Sequence, residues 1–333
     1  MADSIKLSVL DLSPVAAARG EARALHETVE LARAADRLGY HRFWVAEHHG
    51  GGMLASSAPE ILIGRIASVT ERLRVGSGGM MLPNHAPLRV AEQFKALAAL
   101  HPGRIDLGIG RAPGTDSMTA LAIRRGSARD GEDFPAALAE LLCCAGVRQW
   151  PAGHPFGQIR AAPFDAPLPP IFLLGSSEHS AALAAAEGFG FAFAAQINPE
   201  PAAQVARAYR GAFRPGVEAE PYAIISHNVV VADSDQEAFE LAAPARVAYR
   251  RMQTGRIGPL PGLREALDEE AALGRAVRES RRVITGSPTR VRQRLDALVK
   301  ESGVDEVMVM ASLDSIEDRV RSLQLLAEAY GIG

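Results

Sequence analysis

Glu47, His48 and His49 follow the apolar run Phe43-Trp44-Val45-Ala46 and precede three glycines, Gly50 to Gly52. A histidine titrates near neutrality, so one at the end of a buried strand can move a proton or hydrogen-bond a reacting oxygen. The same trio could ligate a metal, although no H-E-x-x-H sequence or second cluster with ligand spacing accompanies it. It could also be a structural Glu–His pair. If the pleat continues, Glu47 projects away from His48 and supports the loop. A second candidate is Gly175-Ser176-Ser177-Glu178-His179-Ser180. Free N–H groups at a helix start, flanked by hydroxyls, suit an anion; ordinary capping by Ser176 or Ser177 is the other reading. Arg111 offers a guanidinium that clamps phosphate or forms a surface ion pair. The third candidate is Leu73 to Pro87, which begins as a strand and loses its side chains at Gly76, Gly78 and Gly79. Such a wall allows close approach by a planar ring, or marks a bulge.

These residues need elements to hold them. Apolar runs read as strands at Ile5–Leu12, Arg42–Ala46, the Leu73 stretch, Arg104–Ile109, Pro170–Leu174, Phe191–Ala194, Tyr222–Val231 and Asp305–Met310. Helical periodicity separates them, as in Leu25, Val29, Ala32 and Ala35 between Glu21 and Leu38. Further helices are expected at Glu132–Ala145, Asp235–Met252 and Pro288–Glu301, with a long loop from Gly110 to Asp130 and an irregular excursion from Thr254 to Arg282. Eight continuous apolar strands alternating with helices predict an α/β fold, a TIM (β/α)8 barrel with insertions after strands four and seven, in one domain spanning residues 1–333. An open sheet is the alternative, but Gly108-Ile109-Gly110-Arg111-Ala112-Pro113 fails G-x-G-x-x-G at its last position and there is no Walker A sequence. In a barrel, chemistry sits at the C-terminal strand ends. Those ends add Asp11, Ser13, Asn84, Gln196 and Asn198, and His227 and Asn228 within the seventh strand.

The chain has 333 residues, is 47% apolar and carries a net charge of −3. A large core is therefore available, and no dense basic stripe invites nucleic acid. Apolar runs are too short for a membrane span, and no signal-peptide h-region opens the sequence. Adjacent Cys143 and Cys144 read as core thiols of a cytoplasmic protein.

The assembled motifs resemble the bacterial luciferase-like flavin-dependent monooxygenases. The likeness is strongest over Phe43-Trp44-Val45-Ala46-Glu47-His48-His49, Arg74-Val75-Gly76-Ser77-Gly78-Gly79-Met80-Met81-Leu82-Pro83 and Gly103-Arg104-Ile105-Asp106-Leu107-Gly108-Ile109-Gly110-Arg111. The Thr285-Gly286-Ser287-Pro288 turn is also similar. The resemblance implies a barrel that binds FMN, supplied reduced by a separate flavin reductase, and uses O2 to oxygenate a small organic substrate. It implies His48 as the catalytic histidine near the reactive flavin edge. It further implies a cis peptide between Ser77 and Gly78 under the ring, Gly79 beside it, and phosphate or ribityl contacts from Arg111, Gly175, Ser176, Ser177 and Ser180. No metal, nucleic acid or membrane is expected; a homodimer is. A deazaflavin-dependent hydride-transfer enzyme and a non-catalytic flavin-binding protein are the alternative readings. The Arg111-Ala112-Pro113-Gly114 loop looks like that of the wider oxidoreductase branch.

Overall fold

Buried apolar strands and amphipathic helices alternate here until the sheet closes on itself. The computed structural model describes residues 5–112, 114–125, 134–274, 277 and 279–333. In chain order, β1 (Lys6–Asp11), α1 (Glu21–Arg37), β2 (Arg42–Val45), α2 (Pro59–Ala67) and β3 (Arg74–Ser77) come first. They are followed by the short β4 (Met80–Met81), a 3-10 turn at Leu82–Asn84, α3 (Pro87–Leu100) and β5 (Ile105–Gly110). Next are α4 (Ser117–Arg124), α5 (Phe134–Ala145), β6 (Ile171–Gly175), α6 (Glu178–Glu187), β7 (Gly190–Ala194), α7 (Ala202–Ala212) and β8 (Ala223–Val231). Last come α8 (Asp235–Leu241), α9 (Ala243–Gln253), α10 (Leu263–Ala271), β9 (Val283–Gly286), α11 (Pro288–Ser302), β10 (Glu306–Met310) and α12 (Ile316–Tyr330). Strands β1, β2, β3, β5, β6, β7, β8 and β10 pair in parallel in that order. β10 pairs with both β1 and β8, so the eight form a closed TIM barrel. Among the described residues no helix is long and apolar enough to cross a membrane.

Side chains alternate between the two faces of each strand. Leu10, Trp44, Phe172, Ala192, Ile224, Met308 and Met310 meet in the lumen. The intervening residues, among them Val9, Phe43, Val75, Leu107, Phe191 and Val307, join the helices in the larger outer core. At the N-terminal end of the lumen, Arg42 donates from Nε to Glu306 Oε1 at 2.7 Å and pairs through Nη1 with Asp106 Oδ2 at 2.7 Å. Tyr222 donates to Glu306 at 2.7 Å, and Trp44 Nε1 donates to Asp106 at 3.2 Å. Burial opposes the charge on Arg42, yet Asp106 and Glu306 raise its pKa above the ordinary value.

Three features differ from the sequence expectation. The loop predicted from Gly110 contains α4, started by Asp116, whose carboxylate accepts from the Met118 and Thr119 N–H groups. Pro113 and residues 126–133, including the expected start of α5 at Glu132, lie outside the described residues. The helix expected from Asp235 to Met252 divides at Ala242, because Pro244 occupies the first turn of α9. The excursion after the seventh barrel strand contains α10 and ends in β9, which pairs with the end of β8 in the register Asn228↔Val283 to Val231↔Gly286.

The plug generates the first prediction. Arg42→Met leaves the buried Glu306 without its cation and Asp106 with Arg74 alone, and should lower unfolding stability by about 3 kcal/mol. Urea denaturation measures it; a loss under about 1 kcal/mol would show that the network carries little stability.

Candidate functional site

The C-terminal end of β2 leads directly into Glu47, whose side chain is fully buried. Its carboxylate is a hub. Oε1 accepts from Asn84 Nδ2 at 2.9 Å and lies 2.8 Å from His49 Nε2. Oε2 accepts from the Met81 N–H at 2.7 Å and lies 2.9 Å from His85 Nε2. Burial alone would raise the Glu47 pKa, but the bonds from His85, Asn84 and His49 outweigh it and hold the carboxyl below its ordinary value. Both oxygens are engaged. Among the described residues no group of three His, Cys, Asp or Glu is arranged to hold a metal ion. Sequence reading overlooked His85; its only signal was a histidine after the Leu82-Pro83-Asn84 turn.

His48 is held by its backbone N–H, which donates to Ser56 O at 2.8 Å. Its Nδ1 is buried with no hydrogen-bond partner. Burial lowers its pKa, with Glu47 opposing and His49 assisting, so the ring is neutral at neutral pH. The chain then turns away through Gly50, Gly51 and Gly52, all at positive φ, which L side chains rarely adopt.

The glycine stretch is more crowded than the sequence suggests. A Cβ on Gly76 would lie 2.8 Å from Trp44 Nε1 and 2.6 Å from Asp106 O. One on Gly78 would lie 2.8 Å from Leu10 Cδ1 and 3.1 Å from Trp44 Cβ. This part of the wall accommodates the barrel's own indole. The cis peptide is between Gly78 and Gly79, not between Ser77 and Gly78. Ser77 still belongs to β3: its hydroxyl donates to Gly108 O at 2.8 Å and accepts from Gly108 N at 3.0 Å. The Gly78 N–H donates to Val45 O at 2.7 Å, so pairing with β2 continues past Ser77. The Ser77 hydroxyl is thereby committed to the sheet.

Arg111 and the Gly175–Ser180 turn leave the barrel on adjacent strands, since Ile109 pairs with Leu173. Arg111 is exposed and forms no ion pair among the described residues. Ser177 occupies the N-cap of α6 in extended conformation, but its hydroxyl makes no capping bond. Ordinary capping therefore does not account for the serines. Ser180 is buried and packs against Gly175, where a Cβ would fall 2.4 Å from its Oγ. Ser176 O accepts from Asn198 Nδ2 at 3.1 Å. His227 shares the outward side of β8 with Ile225 and Val229 and faces away from the lumen, whereas Asn228 lies on the lumen side with Ile224.

The mouth thus combines a neutral imidazole after β2, a cation after β5 and an uncapped helix start after β6. Glu47 gives the second prediction. Its folded pKa lies below 4.5, so its stabilising effect is full above that pH and fades as the pH falls through it. Glu47→Gln should cost about 1–3 kcal/mol at pH 7. The gap from wild type should narrow below pH 4.5. Denaturant unfolding at several pH values tests it, and a gap that widens in acid would refute the hub.

Residues 5–306 match the family model described as luciferase-like monooxygenase. A luciferase-like monooxygenase of Escherichia coli (strain K12) is 39% identical over 329 residues, spanning 97% of this chain and 96% of that protein. The N-acetyl-S-alkylcysteine monooxygenase of Bacillus subtilis (strain 168) is 34% identical over 331 residues, spanning 98% of each. The crystal structure of apo-MsnO8 is similar with a TM-score of 0.90 at 40% identity, covering 99% of both chains. More distant structures share the fold alone. They include the oxygenating constituent of 3,6-diketocamphane monooxygenase from Pseudomonas putida in complex with FMN, at 18% identity and a TM-score of 0.73. Another is an F420-dependent secondary alcohol dehydrogenase, at 15% and 0.68. With the match running from the first barrel strand to the edge of the last, and relatives aligned over nearly their whole length, the chain belongs to the luciferase-like monooxygenase family.

Proposed function

We propose that the protein is a flavin-dependent monooxygenase that receives reduced FMN from a separate reductase and uses O2 to oxygenate a small organic substrate. One observation carries the reading: three groups with no structural employment among the described residues share one end of the barrel. They are the uncapped start of α6, Arg111 without an ion pair, and His48 with its unpartnered Nδ1. That end is where barrels carry their chemistry.

The donor set fits FMN. A guanidinium beside a helix N-terminus suits a phosphate, so Arg111, Gly175, Ser176, Ser177 and Ser180 would hold that group. Gly78 and Gly79 would border the ring with backbone alone. Reduced FMN, when bound, supplies the electrons that activate O2 for transfer of one oxygen atom. His48, kept neutral by burial, can accept or return a proton at Nδ1. Leu10, Trp44 and Met310 in the lumen give the mouth an apolar floor that helps exclude water. A deazaflavin would fit the same fold and would serve hydride transfer instead. Titration of the protein with FMN, reduced FMN and a deazaflavin decides between them by affinity.

Two predictions follow from these assignments. Arg111→Ala should weaken FMN by about tenfold or more and leave riboflavin, which has no phosphate, little changed; equal losses would defeat the phosphate assignment. His48→Ala should retain FMN binding yet lose at least roughly tenfold in substrate oxidation, with more hydrogen peroxide released. Wild-type turnover by that variant would make His48 structural.

A further inference from the structure

The β7–β8–β10 side of the mouth has no role in the function proposed above. Two carboxamides stand there. Gln196 follows β7 and Asn228 lies in β8, and the register Ala194↔Ser226 brings these strand ends side by side. Ile224, Ser226 and Asn228 share the lumen side of β8 by alternation, and Met308, Met310 and Ser312 continue that side along β10.

A serine orients each amide. Ser226 Oγ donates to Gln196 Oε1 at 2.9 Å, the nearer of two acceptors, with Phe193 O at 3.3 Å, and Ser312 Oγ donates to Asn228 Oδ1 at 3.1 Å. Both amide oxygens are therefore engaged, and each side chain presents its NH2 group. Neither Nε2 of Gln196 nor Nδ2 of Asn228 has an acceptor among the described residues. In this arrangement each side chain offers its two amide N–H donors. A cation stands behind them. Arg282 Nη1 donates to Gln196 O at 3.3 Å and to Ile197 O, and its guanidinium lies over the Tyr249 ring. Carbonyls and a ring do not neutralise it, and no carboxylate pairs with it among the described residues.

We propose that this corner is a carboxylate subsite: the substrate is a small organic acid whose carboxylate accepts from Gln196 Nε2 and Asn228 Nδ2 in the field of Arg282. The assignment rests on the monooxygenase reading of the same mouth and adds the substrate class to it. The same two donors could meet a ring carbonyl of the cofactor, but a neutral oxygen gains far less from the adjacent guanidinium than an anion does. No residue of this corner belongs to the phosphate or proton-transfer groups named above.

Octanoate and 1-octanol serve as probes with the same chain length, titrated calorimetrically into the cofactor-free protein, while FMN affinity is measured separately. Octanoate should bind about tenfold or more tightly than 1-octanol. Gln196→Glu and Asn228→Asp keep size but replace a donor by an anionic oxygen, and each should weaken octanoate at least about tenfold with 1-octanol within about twofold. Arg282→Gln, farther from the strands, should weaken octanoate several-fold, and it remains a test if a strand-end variant fails to fold. Equal binding of the two probes, no detectable binding of octanoate, or variants that keep the octanoate preference would overturn the subsite. So would variants that weaken FMN while leaving octanoate unchanged, because the amides would then serve the cofactor ring. A wild-type protein that binds octanoate selectively but not FMN would instead overturn the flavin reading, and leave the carboxylate subsite standing.

Discussion

The guanidinium of Arg42 is buried at the base of the barrel, where water cannot serve as its counter-charge. Meeting that demand joins β2 to β5 through Asp106 and to β10 through Glu306. The same Asp106 carboxylate accepts from Trp44 Nε1, which helps fix the indole in the lumen. Once the indole is there, Gly76 and Gly78 cannot carry side chains, because a Cβ at either would fall within about 3 Å of its atoms. The small wall that looks made for a ligand is therefore first a consequence of packing. Only Gly79, whose Cβ would instead approach the backbone of Gly108 to Gly110, lies beyond the indole.

The opposite end of the barrel treats a buried carboxylate differently. Among the described residues Glu47 has no arginine partner; it is satisfied by an amide, a backbone N–H and two imidazoles. These bonds tie the end of β2 to β4 and to the turn before α3, so His48 emerges from a braced segment. Its own ring is left out of the network. The backbone of His48 is thus held while its ring nitrogen stays out of the bracing bonds.

Much of this was legible in the sequence. Parallel strands covered on both faces read as continuous apolar runs, so all eight barrel strands are visible as such. The strand ends then place His48, Arg111 and the Gly175–Ser180 turn on one face. Less legible were features decided by partners remote in sequence. β9 is four residues long and exists because β8 overruns the barrel and offers it an edge. The cis peptide falls one bond later than expected, beyond Ser77, whose hydroxyl is anchored by Gly108 on another strand. α4 begins at Asp116, inside a stretch whose composition reads as loop. Gln196 was visible as a strand-end residue and Asn228 within the seventh strand, but their orientation was not. Serines 30 and 84 residues away set it.

The distribution of polar groups around the mouth separates tasks by strand. The β2 side is stiffened by the Glu47 hub, and the β5–β6 side by the contact of Gly175 with Ser180. The β7–β8 side depends on two single serine–amide bonds and on an arginine from the long connection after β8. Loops that run over the surface of a rigid scaffold tolerate change more readily than the elements they join. A barrel built this way can change the β7–β8 corner through Arg282 and the strand ends it touches, without disturbing the His48 imidazole or Arg111. The base of the lumen offers no such freedom. There the loss of Arg42 exposes the uncompensated charge of Glu306, so the base of the lumen tolerates substitution less well than the loops at the mouth.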